Sequence, residues 1–103
     1  MISRQWIGVT KIEQADNYIN HLNTQTFPQL AKIRGFVEGF ILKRIVDDGV
    51  EFLIVTDWES IDAIREFAGD QPDLAVVPPR AQAMMVRYDS IVRHYEVEGR
   101  YKV

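Results

Sequence analysis

The chain has no cysteine, which excludes disulfides, thiolate metal sites and thiol nucleophiles. Histidine is nearly as scarce: the two, His21 and His94, form neither an HExxH motif nor an i, i+4 ligand pair, so no metal site is expected. Long apolar runs are missing, so no segment is expected to span a bilayer. The opening "MISRQWIGV" carries an arginine and a tryptophan where a secretory leader needs an unbroken apolar stretch, and the chain reads as cytoplasmic. Positive charge is not concentrated either. Twelve basic residues are scattered among 15 acidic ones for a net charge of −3, which leaves no footprint for a nucleic-acid backbone or an anionic membrane. There is no phosphate-cradling glycine loop and no G-x-S-x-G elbow. At 103 residues, one domain with a single core is expected.

What is present is a change of period along the chain. Ile2 to Ile12 alternates loosely, with Trp6, Ile7 and Val9 in a run rich in β-formers, and predicts a first strand. Ala15, Tyr18, Ile19, Leu22, Thr26, Leu30 and Ile33 then recur at the spacing of an amphipathic helix. Pro28 lacks an amide hydrogen and clashes with the carbonyl of Thr24, so this helix kinks there or restarts with Pro28 in its first turn; Gly35 ends it. Phe36 to Ile45 and Val50 to Trp58 are two strand-like runs, and the Asp-Gly pair in "VDDG" between them suits the positive φ of a tight hairpin. Ser60 predicts an N-cap for a second helix with the apolar stripe Ile61, Ile64, Phe67 and Ala68, ended by Gly69 in a left-handed cap. "DQPDLAVVPP" is a proline-marked connection with a turn of helix expected around Leu74 to Val77. Ala81, Met84, Met85 and Tyr88 recur at i, i+3, i+4 and i+7, predicting a short helix from the Pro78-Pro79 pair, and Ile91 to Val97 reads as the last strand.

The order β-α-β-β-α-(α)-β is the ferredoxin-like, split βαβ plan of an α+β protein, with helices on one face of a four-stranded antiparallel sheet. A sheet with one wetted face should alternate apolar and polar residues. Here one parity of the second strand holds Phe36, Phe40 and Leu42 and the other holds Val37, Ile41 and Ile45; in the third, Val50, Phe52 and Ile54 oppose Leu53 and Val55. Both faces require burial, which predicts a homodimer with two sheets packed face to face.

The "GFVEGFILKR" strand after a Gly-ended helix, the "EFLIVTDWES" strand running into "IDAIREFAG", and the closing "HYEV" together resemble the antibiotic biosynthesis monooxygenase-like family, over nearly the whole chain. The resemblance implies a dimeric α+β barrel. Its superfamily includes cofactor-independent oxygenases, haem-degrading enzymes and isomerases of small lactones. Members that oxidise polycyclic phenols need neither metal nor flavin, because the deprotonated substrate is electron-rich enough to react with oxygen; the implied cofactor set is none. Such a protein must supply an apolar pocket for a small aromatic or quinone-like substrate, a base for the phenol proton, and donors for the oxyanion. The candidates are Trp6, Phe52, Trp58, Met84 and Met85 as walls, His94 as base, and Arg93, Tyr88, Tyr95 or an indole N–H as donors. Haem-degrading members carry a histidine ligand after the second helix, where "GDQPDLAVVPP" offers none, which argues against haem ligation.

Each candidate has a plainer reading. Positions 92, 94 and 96 share one face of the last strand and 91, 93, 95 and 97 the other, so His94 and Tyr95 cannot enter one pocket of the same subunit. An ordinary sheet or interface histidine is the alternative for His94. His21 falls about 120° off the apolar stripe of the first helix and is expected to face solvent. For Trp6 and Trp58 the alternative is core packing, for Met84 and Met85 gap filling, and for Arg87 and Arg93 surface ion pairing. Three functions stay open: a cofactor-independent oxygenase or related isomerase, a non-catalytic protein binding such a metabolite, and a closed dimer serving as a docking surface.

Overall fold

In the computed structural model, which describes residues 1–103, strand β1 (Ile2–Thr10) runs through the middle of an antiparallel sheet. Along one side it pairs over its whole length with β3 (Gly49–Trp58), Ile2 opposite Trp58 and Thr10 opposite Val50; β2 (Phe36–Val46) pairs the far edge of β3. The other side of β1 carries two short strands in place of the single last strand expected. β4 (Met85–Tyr88) lies opposite Gly8–Thr10 and β5 (Arg93–Glu96) opposite Ile2–Gln5. The sheet is therefore five-stranded.

That arrangement corrects two expectations in the C-terminal third. The helix after the proline pair is only α4 (Pro79–Gln82), and Met85 to Tyr88 is strand. The apolar spacing fitted either form, but one helical turn gains little, whereas the edge of β1 presents unpaired amides and carbonyls along its whole length. Leu74 to Val77 is not helical. Leu74 bridges Ile91, the Ala75 N–H donates to Ser90 O (2.9 Å) and the Val92 N–H to Asp73 O (2.8 Å), so residues 73–75 form a strap along the outer edge between β4 and β5.

The helical layer begins with a 3-10 turn (Ile12–Gln14) and α1 (Ala15–His21), widens to a π turn (Leu22–Thr26), and resumes as α2 (Phe27–Leu30) with Pro28 in its first turn. The proline's missing donor is absorbed by widening the helix just before it. An extra residue in the turn sets everything downstream back by about 100° at the ordinary helical period. Thr26 and Leu30 thereby come into line with Tyr18, and the inward face is re-centred toward His21. Helix α3 (Ile61–Ala68) starts as read from sequence: Ser60 Oγ accepts the Ala63 N–H at 3.2 Å, and Gly69, with φ 80°, ends it.

The β2–β3 hairpin is a two-residue turn at Asp47-Asp48 in which no residue has positive φ, contrary to expectation. Gly49 is needed for space instead, since a Cβ there would strike the carbonyl of Thr10 on the neighbouring β1. A bulge between Phe36 and Glu38 also reverses one parity. Phe36 turns to the helix side, edge-on to Trp58 at 5.2 Å, and so does not share a face with Phe40 and Leu42.

The core is two clusters. Tyr18, Leu22, Phe52, Ile54 and Met85 pack under α1 and α4, while Leu30, Trp58, Ala63 and Ile64 pack under α3. The helix-free face keeps its apolar character: Phe40 and Leu42 are 46% and 48% exposed, next to the half-buried Leu53, Val55 and Ile7. No helix is long and apolar enough to cross a membrane.

Candidate functional site

Between the two clusters the layers part. The gap is a narrow cleft open to solvent at one end, floored by Ile54, Thr56, Arg4 and Trp6 of β3 and β1. Tyr18, His21, Leu22, Thr26 and Leu30 form its helical wall; Phe67, Val76, Val77 and Val92 close the opposite side. The mouth widens into a polar vestibule, where Gln25, Gln29 and Arg80 join His21 and Thr26.

His21 is the correction of greatest consequence. It is 8% exposed, not solvent-facing, and its ring lies 6.3 Å from that of Tyr18 at an interplanar angle of 19°. Burial and the positive charge of Arg80 hold its imidazole below the ordinary pKa, so it is neutral at pH 7. Nδ1 is enclosed without a partner. A buried orphan N–H is costlier than an orphan lone pair, so the ring proton belongs on Nε2, and His21 offers the cleft a hydrogen-bond donor. The hydroxyl of Tyr18, which burial pushes well above the usual phenol range and so keeps protonated, lines the same wall, as does Thr26.

Arg4 is committed to the architecture. Only 5% exposed, it donates from Nη1 to Pro72 O and to His94 Nε2 (3.1 Å), and from Nη2 to Leu74 O (2.9 Å), with its guanidinium 5.7 Å from the Phe67 ring centre. Burial lowers it to about 10, partly opposed by Asp73, so it stays charged at neutral pH. Three bonds leave two of its five N–H groups uncommitted. Thr56 is tied down as well, accepting the Trp58 indole N–H at 2.9 Å and donating to Arg4 O at 3.4 Å.

Of the residues proposed for the site from sequence, Trp6 alone lines the cleft, its indole N–H donating to Asp89 O at 2.7 Å. His94 sits on the helix side of β5, opposite in face to Tyr95, but behind Arg4: Nε2 accepts from Arg4, which places the ring proton on Nδ1, directed at Asp73 (3.2 Å). Burial and Arg4 hold it below the ordinary histidine pKa, against the pull of Asp73. Phe52 is fully buried beneath Tyr18, and Trp58 fully buried between Phe36 and Phe67. Met84 packs against the first cluster, and Tyr88 stands 39% exposed at the sheet edge, 6.2 Å from Trp6. Arg93 opens on the helix-free face, in a depression with Gln5, Ile7 and Leu53. Arg87 pairs with Asp48 at 2.9 Å. No group of three or more His, Asp or Glu side chains is placed to hold a metal ion.

No protein-family profile matches the sequence, and no curated protein is recognisably similar to it. Solved structures are similar in fold. A Bacillus cereus protein provisionally named an antibiotic biosynthesis monooxygenase superposes with a TM-score of 0.66 at 16% identity, over 99% of this chain and 95% of its own. A Deinococcus radiodurans protein with the same provisional name gives 0.65 at 13%, over 100% and 98%. A variant of MhuD, solved with two manganese protoporphyrin IX per active site, gives 0.61 at 17%, over 99% and 98%. The fold is that of the antibiotic biosynthesis monooxygenase-like proteins.

Proposed function

We propose that this chain is a cofactor-independent monooxygenase-like protein that binds a small hydroxylated aromatic or quinol in the cleft between sheet and helices and works as a homodimer. The observation that carries the reading is His21: a neutral, buried imidazole lining a mostly apolar cleft, its Nδ1 without a partner. The aromatic body packs on Trp6, Leu22, Ile54 and Phe67. Its oxygen, as phenolate, accepts from His21 Nε2–H and from the hydroxyls of Tyr18 and Thr26, with the Arg4 charge in the floor favouring the anion.

The electron balance requires no further reductant. A quinol and dioxygen give a hydroxyquinone and water: one oxygen atom forms a bond to carbon, the other leaves as water, and all electrons come from the substrate. In the dimer, the faces bearing Phe40, Leu42 and Leu53 cover each other, which removes an apolar patch of the kind monomers seldom expose. Binding without turnover is the second reading, favoured by the engagement of both nitrogens of His94 and three donors of Arg4 in internal bonds.

The test is dioxygen uptake by purified, metal-free protein with a panel of anthrones, quinols and flavonoids, wild type beside His21→Ala and His94→Ala. Uptake with one class of compound, reduced at least tenfold in His21→Ala, is expected. Binding with no uptake selects the second reading, and neither binding nor uptake across the panel refutes both.

A further inference from the structure

We infer that the cleft's ligand is an acid: a hydroxyaryl carboxylate whose ring enters the cleft and whose carboxylate stays in the vestibule on Arg80. The inference rests on the aromatic-ligand reading above and narrows its substrate class. Its basis is the charge inventory of the two connected cavities. Arg4 lines the inner one and Arg80 the outer, and no aspartate or glutamate lines either, in a chain where acids outnumber bases 15 to 12. Five of the eight residues lining the vestibule carry polar side chains, and none of them is an acid.

Arg80 is also free. Arg44, Arg65, Arg87 and Arg100 each hold a carboxylate within 3.2 Å, whereas Arg80, like Arg34 and Arg93, pairs with none, and of these three only Arg80 stands at the cleft mouth. Its charge is felt inside the site, where it helps to depress the basicity of the buried His21 imidazole. Arg4 differs in being countered by Asp73, which stands behind it across His94 and outside the cleft. The amides of Gln25 and Gln29 flank Arg80 and can donate to the same anion. One planar guanidinium matches a carboxylate through two parallel hydrogen bonds, while a phosphate dianion would call for a second free cation at the mouth. His21 lines both cavities, so the aryl oxygen it holds and the carboxylate on Arg80 belong to one continuous site.

Isothermal calorimetry with a matched pair tests this: 2-naphthol, and 6-hydroxy-2-naphthoate with its hydroxyl and carboxylate at opposite ends. Wild-type protein is expected to bind the acid about threefold more tightly at low salt, as one solvent-exposed, charge-assisted pair allows. Arg80→Gln should abolish the preference for the acid over 2-naphthol, Arg80→Lys should keep part of it, and 0.5 M NaCl should shrink it. Equal affinity of the wild type for the two compounds, or a preference that survives Arg80→Gln, overturns the inference and leaves the aromatic-cleft reading standing. Absence of binding by either compound at millimolar concentration overturns both.

Discussion

Replacing Arg4 with methionine should loosen one wall of the cleft before it unfolds the domain. The guanidinium is buried and makes three hydrogen bonds, two to carbonyls of the strap region and one to His94. Bonds to charged groups contribute about 1.5–3 kcal/mol each. Against them stands desolvation: a guanidinium lowered from 12.5 to about 10 carries, at about 1.4 kcal/mol per pKa unit, a burial cost on the order of 3 kcal/mol. The bonds exceed the cost, and methionine recovers a fraction by packing on Phe67 and Val92, so a net loss of about 2 kcal/mol follows. That is a large share of the roughly 5–15 kcal/mol that holds a domain together. Urea unfolding should show it as a lower midpoint with an unchanged slope. Hydrogen exchange localises it. The Ala75 and Val92 amides, which bond across the strap, should exchange about thirtyfold faster, the equivalent of 2 kcal/mol, ahead of the β1–β3 ladder. Unchanged protection at those two amides would mean that the strap is held by its own backbone bonds and that Arg4 does not secure the wall.

Gly39→Ala should cost about 1–3 kcal/mol in denaturant unfolding, because a Cβ there meets the Phe27 ring; a loss under 0.5 kcal/mol would show that Phe27 is free to move. His21 has a folded pKa below its unfolded value, so its contribution to stability is full above about pH 6.5 and is lost as pH falls through the lower folded value. His94 shifts the same way, so the urea midpoint should drop between pH 7 and pH 5, less steeply in His21→Phe; a flat profile in the wild type would contradict both placements. Phe40→Glu with Leu42→Lys should convert a sedimenting dimer to a folded monomer. A wild type that sediments as a monomer at micromolar concentration would remove the dimer from the proposal.

Much of the architecture was legible because it is written in local chemistry. Ser60 and Gly69 bracket α3 through a hydroxyl cap and a positive-φ glycine, and the β-former-rich runs from Phe36 and Val50 pair as a hairpin, though without the positive φ expected of its turn. The parity argument about His94 held for the same reason, since the strand period of two is a backbone property. What the sequence could not decide depends on which elements meet. His21 was read as wet from an ideal helix, but the π turn before Pro28 re-phases the wall and the segment around Arg80 covers it. Arg4, one charge among 12 basic residues, carried no mark of burial, because its carbonyl partners at Pro72 and Leu74 lie 68 and 70 residues away. Met85 to Tyr88 fitted either period, and the open edge of β1 made it a strand. Sequence alone determined the layers, through short-range propensity and period. The cleft and its polar groups were decided only when distant segments packed, because a side chain's burial, partner and proton affinity belong to its neighbours in space.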